Sequence, residues 1–91
     1  MKLSSHLRST HNQDGAIVLD ILHGHMFRLN LVGSRMLALL GKGFTEQRIV
    51  EDLAREFSVD PIMIAGDLKE FLEHLQKHHL LETAEHETQL F

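Results

Sequence analysis

The apolar residues of the chain change their spacing near Asn30. Before this residue they alternate with polar residues over short segments, and after it they recur every three or four positions. Alternation is typical of a half-buried strand, whereas a repeat of three to four residues is typical of an amphipathic helix. The pattern therefore predicts an α+β domain in which a small N-terminal sheet precedes a set of helices.

Three short strands are predicted before residue 31. A weaker strand lies within residues 6–11, and residues 12–15, which end in the turn signal Asp14-Gly15, connect it to the next. Residues 16–21 form the second strand and residues 25–30 the third. Together they predict a three-stranded antiparallel sheet.

The register between the second and third strands has two possible solutions. A two-residue loop at residues 23–24 places Asp20 opposite Phe27 on one face. A three-residue loop over residues 22–24, with Gly24 in a left-handed conformation and a bulge, shifts the pairing. We favour the second solution because it collects the apolar side chains on one face. Its pairs are Ile17 with Leu29, Leu19 with Phe27, and Ile21 with His25.

Three helices are predicted after the sheet, each with a start signal. Asn30 is placed to cap the first helix, which extends to about residue 40. Thr45 caps the second helix, and Asp60 followed by Pro61 starts the third, which extends to about residue 78. The predicted buried stripes are Ile49, Val50, Leu53, Ala54 and Phe57 in the second helix and Ile64, Ala65, Leu68, Phe71, Leu72 and Leu75 in the third.

Residues 80 and 81, both leucine, are expected to turn back onto the core. The domain is therefore predicted to cover residues 1–82, with residues 83–91 as a loose polar tail. The chain has 91 residues, of which 43% are hydrophobic and 24% charged, and this size and composition suit one globular domain.

The residue content also excludes several kinds of chemistry. The chain has no cysteine, so a disulfide framework, a thiolate zinc site and a thiol nucleophile are all excluded. No nucleophile, base and acid are arranged in a way that predicts catalysis, so we expect no enzyme, no catalytic residue and no cofactor. No apolar run reaches the length of a signal peptide or a membrane span, which predicts a cytoplasmic protein that does not contact a membrane.

Nucleic acid is a disfavoured partner because the net charge is −4 with histidine counted as neutral. A winged-helix DNA-binding regulator is still the main alternative function, since the second and third helices with their short connection resemble a helix-turn-helix. The outward face of the third helix argues against it, because acidic groups stand where base and phosphate contacts need basic or amide groups. That face carries Gly66, Glu70, Glu73 and Lys77.

Histidine spacing raises the question of a metal site on the third helix. His74 and His78 are four residues apart, and His79 and Glu70 lie nearby in sequence. No Glu lies between the two histidines as the zincin motif requires, so no functional metal site is predicted there. Asp67, His74 and His78 instead share one flank of the helix, where they form a solvated shoulder or contact a polar group of a ligand.

A series of short motifs, taken in order and spacing over about residues 14–82, resembles the PqqD-like family. This family comprises the small proteins of pyrroloquinoline quinone biosynthesis and the free-standing recognition elements of lasso-peptide and related ribosomal-peptide pathways. The motif residues are Leu19-Asp20, Gly24, Phe27-Arg28-Leu29-Asn30, Gly33, Thr45, Ile49-Val50, Leu53, Phe57, Val59-Asp60, Asp67-Leu68, Phe71-Leu72, Leu75 and Leu80. The family often has glycine just before the final apolar pair, where this chain has His79.

The resemblance implies a non-catalytic chaperone that binds the leader of a precursor peptide and delivers it to a modifying enzyme. The leader would add as a strand beside the third strand, against the third helix, in a winged-helix-like fold. The partner enzyme would be a radical-SAM enzyme or a leader peptidase, and the free protein could form a homodimer through the same edge. Carried onto this chain, the peptide-binding residues are His25, Met26, Phe27, Arg28 and Leu29 of the strand and Asp67, Leu68, Phe71 and Leu75 of the helix.

Overall fold

Strands occupy the first part of the computed structural model and helices the second, and the structure describes residues 2–82. The predicted tail, residues 83–91, lies outside the described residues. The elements in chain order are β1 (Lys2–Leu3), β2 (Leu7–Asn12), β3 (Gly15–Asp20), β4 (His25–Asn30), α1 (Leu31–Gly41), α2 (Glu46–Phe57), α3 (Pro61–Lys77) and β5 (Leu81–Glu82). Strands β2, β3 and β4 form the predicted antiparallel sheet in that order, so the α+β class is confirmed.

The helix starts follow the predicted caps. The side-chain oxygen of Asn30 accepts a hydrogen bond from the Gly33 amide, and Thr45 and Asp60 do the same for α2 and α3. Each cap satisfies an amide that has no partner within its own helix. Because these bonds connect residues only two or three positions apart, the sequence alone was sufficient to place the helices.

The register of β3 with β4 differs from the prediction. The observed pairs are Ala16 with Leu29, Val18 with Phe27, and Asp20 with His25, and four residues, 21–24, connect the two strands. The three-residue loop was therefore wrong, and the side chains of β3 face the opposite way from the prediction. Ala16, Val18 and Asp20 are buried, whereas Ile17 and Leu19 are 40% and 41% exposed and Ile21 is 52% exposed.

Asp20 is the physical reason for this reversal, because its carboxylate is fully buried yet well supplied with donors. Its Oδ1 accepts hydrogen bonds from the amides of Leu22 and His23, both at 3.1 Å, and its Oδ2 lies 2.7 Å from His23 Nδ1. A buried charge is tolerated when it is paired and hydrogen-bonded. The prediction collected the apolar side chains of the strand on one face, which left Asp20 on the other face, and the orientation of the strand was therefore wrong.

One apolar cluster fills the space beneath the helices and includes Leu80 and Leu81, as predicted. Most of the predicted stripe of α3 is buried in it, but Ala65 is exposed and that part of the prediction was wrong. Phe71 is only partly buried and packs against the cluster from its margin. Of the residues described, no helix is both long enough and apolar enough to cross a membrane.

The two ends of the described chain meet in a small sheet that the sequence did not predict. Strand β1 pairs with β5 through Leu3 opposite Leu81. The turn that leads into β5 uses a left-handed residue, His79, at φ 60°. Its amide donates to the Gln76 carbonyl, and the amide of Leu80 donates to the Leu75 carbonyl at 2.8 Å. This is the helix ending in which glycine is usual, and it explains the family's frequent glycine at this position.

Candidate functional site

One edge of strand β4 is open in the part of the chain that the structure describes. The strand pairs with β3 on one side, and the three-stranded sheet ends at β4 on the other. An unpaired edge presents amides and carbonyls that can pair with another extended backbone. Within residues 2–82, residues 25–29 therefore have the free side that strand addition requires.

The direction of the hydrogen bonds identifies which groups of β4 point to this edge. The amide of Ile21 donates to the His6 carbonyl, so odd-numbered residues at this end of β3 turn their backbone groups toward β2. Because backbone groups alternate along an antiparallel strand, the even-numbered residues of β3 bond to β4. Asp20 with His25 is such a bonded pair, which leaves the amides and carbonyls of Met26 and Arg28 directed outward.

The side chains of β4 alternate between its two faces. Met26 is 66% exposed and Arg28 is exposed, and both lie on the face away from the core. Phe27 and Leu29 are half-buried on the inner face, and His25 is exposed at the start of the strand. All five predicted strand residues are thus brought together on the segment that forms the open edge.

One flank of α3 stands beside this edge, and its contacts run through Phe27. The ring centroid of Phe27 lies 5.1 Å from that of His78 and 5.9 Å from that of His74. The two histidine rings are themselves 4.5 Å apart, centroid to centroid. His74 and His78 therefore form part of the helix wall, although the peptide-binding set carried over from the family does not include them.

The structure separates the four predicted residues of the helix wall into two groups. Asp67 is exposed and Phe71 half-exposed, so both reach the surface beside the edge. Leu68 and Leu75 are only 2% and 3% exposed and belong to the core. A side chain buried to this extent has no surface left for a ligand, so these two leucines support the wall from beneath. Their apolar character suited a binding groove and a core equally, and the sequence could not distinguish the two.

The first turns of α1 close one end of the groove, which sequence reasoning missed. A cleft of about 460 Å³ opens between the end of β4, α1 and α3. The sequence did contain a sign of this arrangement. Strand β4 passes directly into α1 at Asn30, which keeps the first helical turn beside the strand. The cleft is lined by Asn30, Val32, Gly33, Met36, Asp67, Glu70, Phe71 and His74.

The groove is chemically different at its two ends. The end near the start of β4 is imidazole-rich, and burial lowers the pKa of His78, helped by the charges of His74, Lys77, His25 and His79. A lowered pKa keeps this imidazole neutral, which suits a wall that packs against apolar groups. At the cleft end, the carboxylates of Asp67 and Glu70 lie beside His74.

The acidic residues of α3 also bear on the DNA-binding alternative. Glu70, Glu73 and Lys77 are all exposed on this helix, and Glu70 borders the cleft. Carboxylates repel the phosphate backbone and do not match the side chains that read base edges in the major groove. The helix therefore lacks the surface of a recognition helix.

Comparisons with known proteins were made for sequence and for structure. A family model described as "Coenzyme PQQ synthesis protein D (PqqD)" matches residues 15–81. The structure titled "TbiB1 in Complex with the TbiA(beta) Leader Peptide" is 37% identical, with a TM-score of 0.83, over 91% of this chain and 96% of that chain. The structure titled "Lasso peptide synthetase B1 complexed with the leader peptide" is 18% identical, with a TM-score of 0.78, over 88% of this chain and 94% of that chain. No curated protein matches the sequence.

Proposed function

This chain belongs to the PqqD family, and we propose that it binds the leader of a ribosomally made precursor peptide and delivers it to a modifying enzyme. Support comes from TbiB1, which shares the fold over nearly the full length of both chains and was solved with a leader peptide bound. Family members of this kind serve as binding partners, and we propose that this chain likewise performs no catalysis. Among the pathways of the family we favour the lasso-peptide type, to which the Phe27-Arg28-Leu29-Asn30 segment and Gly33 bear the greater resemblance.

The open edge of β4 is the observation that carries this proposal. The leader would pair its backbone with the outward amides and carbonyls of Met26 and Arg28, which lengthens the sheet by one strand. Alternate side chains of the leader would then point toward α3, where Phe71 and His74 provide an aromatic surface. Backbone pairing supplies affinity for any extended peptide, and the side-chain pockets supply selectivity.

The strength of such binding is set by two opposing terms. Backbone hydrogen bonds and burial of apolar side chains favour the complex, but a leader that is disordered when free loses conformational entropy on binding. A net binding free energy of about 8 kcal/mol, which corresponds to micromolar affinity, is the range we expect. A carrier of this affinity holds its peptide long enough to meet the enzyme and still releases it.

Proline at position 26 is a direct test of the docking edge. Met26 is exposed, and its amide points away from β3, so Met26→Pro removes a donor from the open edge while sparing the ladder with β3. We expect leader affinity to fall by about tenfold or more, because one backbone hydrogen bond is lost and the guest strand meets the proline ring. Isothermal titration calorimetry with the synthetic leader of its precursor peptide provides the measurement.

Ser9→Pro is the matched control, because it makes the same change on the opposite edge of the same sheet. Ser9 pairs with Val18, and by the same alternation its amide points away from β3. This variant should bind the leader with unchanged affinity. If Met26→Pro stays folded by circular dichroism and binds as tightly as Ser9→Pro, the docking edge has been assigned to the wrong strand.

A further inference from the structure

A second cluster of functional side chains lies where β2 begins and β3 ends. His6, Asp20 and His23 each offer a potential metal-ligand atom, and these atoms all lie within 4.8 Å of one another. Asp20 Oδ2 is 2.7 Å from His23 Nδ1, and Asp20 Oδ1 is 3.5 Å from His6 Nε2. Strand alternation and the turn at residues 21–24 bring these residues together across 17 positions of sequence, from 6 to 23.

His6 provides an independent sign that the cluster is incomplete as a set of hydrogen bonds. Its Nε2 atom is buried and has no hydrogen-bond partner, since the 3.5 Å separation from Asp20 does not meet hydrogen-bond geometry. Buried polar atoms in folded proteins are nearly always paired, and an orphaned one signals a bound ion or water. An imidazole nitrogen beside a carboxylate and a second imidazole is a metal-ligand set.

We propose that His6, Asp20 and His23 form a binding site for a divalent transition metal ion of the zinc class. Zinc binds imidazole nitrogen and carboxylate oxygen at about 2.0–2.2 Å, so neighbouring ligand atoms in a tetrahedral site stand about 3.3 Å apart. His6 Nε2 lies 3.5 Å from Asp20 Oδ1, and the ligand atoms of the cluster are all within 4.8 Å of one another, so small side-chain adjustments bring them to this geometry. His23 reaches it by a small side-chain rotation, in which the metal displaces the hydrogen bond between His23 Nδ1 and Asp20 and the neutral ring carries its single proton on Nε2, after exchange with solvent.

The surroundings of Asp20 are those of an oriented ligand. The amides of Leu22 and His23 both donate to its Oδ1, which fixes the plane of the carboxylate, and Oδ2 bonds the ring of His23. Hydrogen bonds to the ligands themselves are a general means by which proteins orient metal sites. Because His23 is 43% exposed, solvent ions have access to the cluster from this side.

The proposed ion would reinforce a place where the start of β2 and the turn at residues 21–24 already share the backbone hydrogen bond from Ile21 to His6. It would tie the start of β2, through His6, to the turn that leads into β4. The ring of His23 stacks on that of His25 with centroids 6.1 Å apart, so the site adjoins the first residue of β4. Metal binding would therefore strengthen the end of the sheet, whether or not a leader is bound.

Titration of the tag-free full chain with zinc chloride at mildly alkaline pH tests the proposal. We expect one ion per chain, and we expect His23→Ala and His6→Gln each to weaken affinity by about tenfold or more, since each removes a ligand. The double variant His74→Ala/His78→Ala is the matched control. It removes two imidazoles, as many as the two cluster variants remove between them, but from the histidine pair of α3. Its affinity for zinc should equal that of the wild type.

Cobalt(II) provides a second readout that reports coordination directly. Bound in the cluster, it should give the intense visible absorption of a four-coordinate ion, and His23→Ala should abolish that absorption. Circular dichroism must show that each variant is folded, because His23→Ala removes a hydrogen-bond partner of the buried Asp20 carboxylate. The proposal is overturned if the wild type binds neither ion, if both cluster variants bind zinc unchanged, or if only the double helix variant loses binding.

Discussion

At the scale of single residues, Asp20 has the largest influence on the structure. Burial by itself raises the pKa of this carboxyl, but the hydrogen bonds from the side chain and backbone of His23, with the charges of His23 and His6, lower the pKa further than burial raises it. The group is therefore held ionised in the interior. Because it anchors the turn at residues 21–24, it also determines which face of β3 is inward.

Replacing Asp20 by alanine is expected to destabilise the protein strongly. The change leaves the amides of Leu22 and His23 without an acceptor and removes the partner of the His23 ring. We expect the melting temperature to fall by about 10 °C or more, as follows from losing several hydrogen bonds in a domain of this size. Differential scanning calorimetry provides the measurement.

Asp14→Ala is the appropriate comparison, since Asp14 is exposed and lies in the preceding turn. Surface substitutions of this kind change stability by no more than about 0.5 kcal/mol. Equal melting temperatures for the two variants would mean that Asp20 does not anchor the turn.

At the scale of elements, the hairpin of β2 and β3 is shaped by a close approach of two backbones at Gly15. A Cβ atom on Gly15 would lie 2.0 Å from the carbonyl oxygen of Leu29 in β4, and the residue has φ 148°. Neither the space nor the conformation allows a side chain. The turn between β2 and β3 therefore packs directly against the end of β4, beside the groove.

Gly15→Ala is expected to lower the free energy of unfolding by at least about 2 kcal/mol, because both backbone strain and the clash with β4 must be relieved. Gly24→Ala separates these two causes. Gly24 also has a positive φ, 71°, but nothing lies within 4 Å of its Cβ position, so it suffers only the conformational cost of about 1–2 kcal/mol. Urea denaturation of both variants provides the comparison. If Gly24→Ala proves the more damaging of the two, the close approach at Leu29 is not a constraint on the fold.

At the scale of the whole molecule, the groove depends on the meeting of β4 and α3, which are separated by two helices in sequence. His74 and His78 reach Phe27 only because α1 and α2 carry the chain around the core. The aromatic and imidazole rings then form a row from His25 to His78 along one side of the groove.

Acidification is expected to destabilise the wild type through His78. Its pKa in the folded protein lies below the ordinary value of 6.5, so the unfolded chain takes up the proton first as the pH falls. The contribution of the neutral ring is complete above pH 6.5 and is lost as the pH falls below that value. His78→Gln should therefore lose less stability than the wild type between neutral and mildly acidic pH, as measured by urea denaturation at each pH. A steeper loss in His78→Gln than in the wild type would contradict this assignment.

The sequence by itself determined the features that arise from short-range interactions. The caps at Asn30, Thr45 and Asp60 act over two or three residues, so the helix starts were predictable from local chemistry. The outward positions of Met26 and Arg28 also follow from alternation within a single strand. The family resemblance added the expected edge and wall, because it reflects the order of these local motifs.

Only the tertiary structure decided the features that depend on which surfaces meet. Hydrophobicity predicted Ile17 and Leu19 on the inner face of β3, but the donors around Asp20 placed that acidic residue inside instead. In the same way, the packing of α3 against β4 places Leu68 in the core and His74 in the wall of the groove. Burial and satisfaction of a polar group depend on partners distant in sequence, and a linear pattern contains no information about where those partners lie.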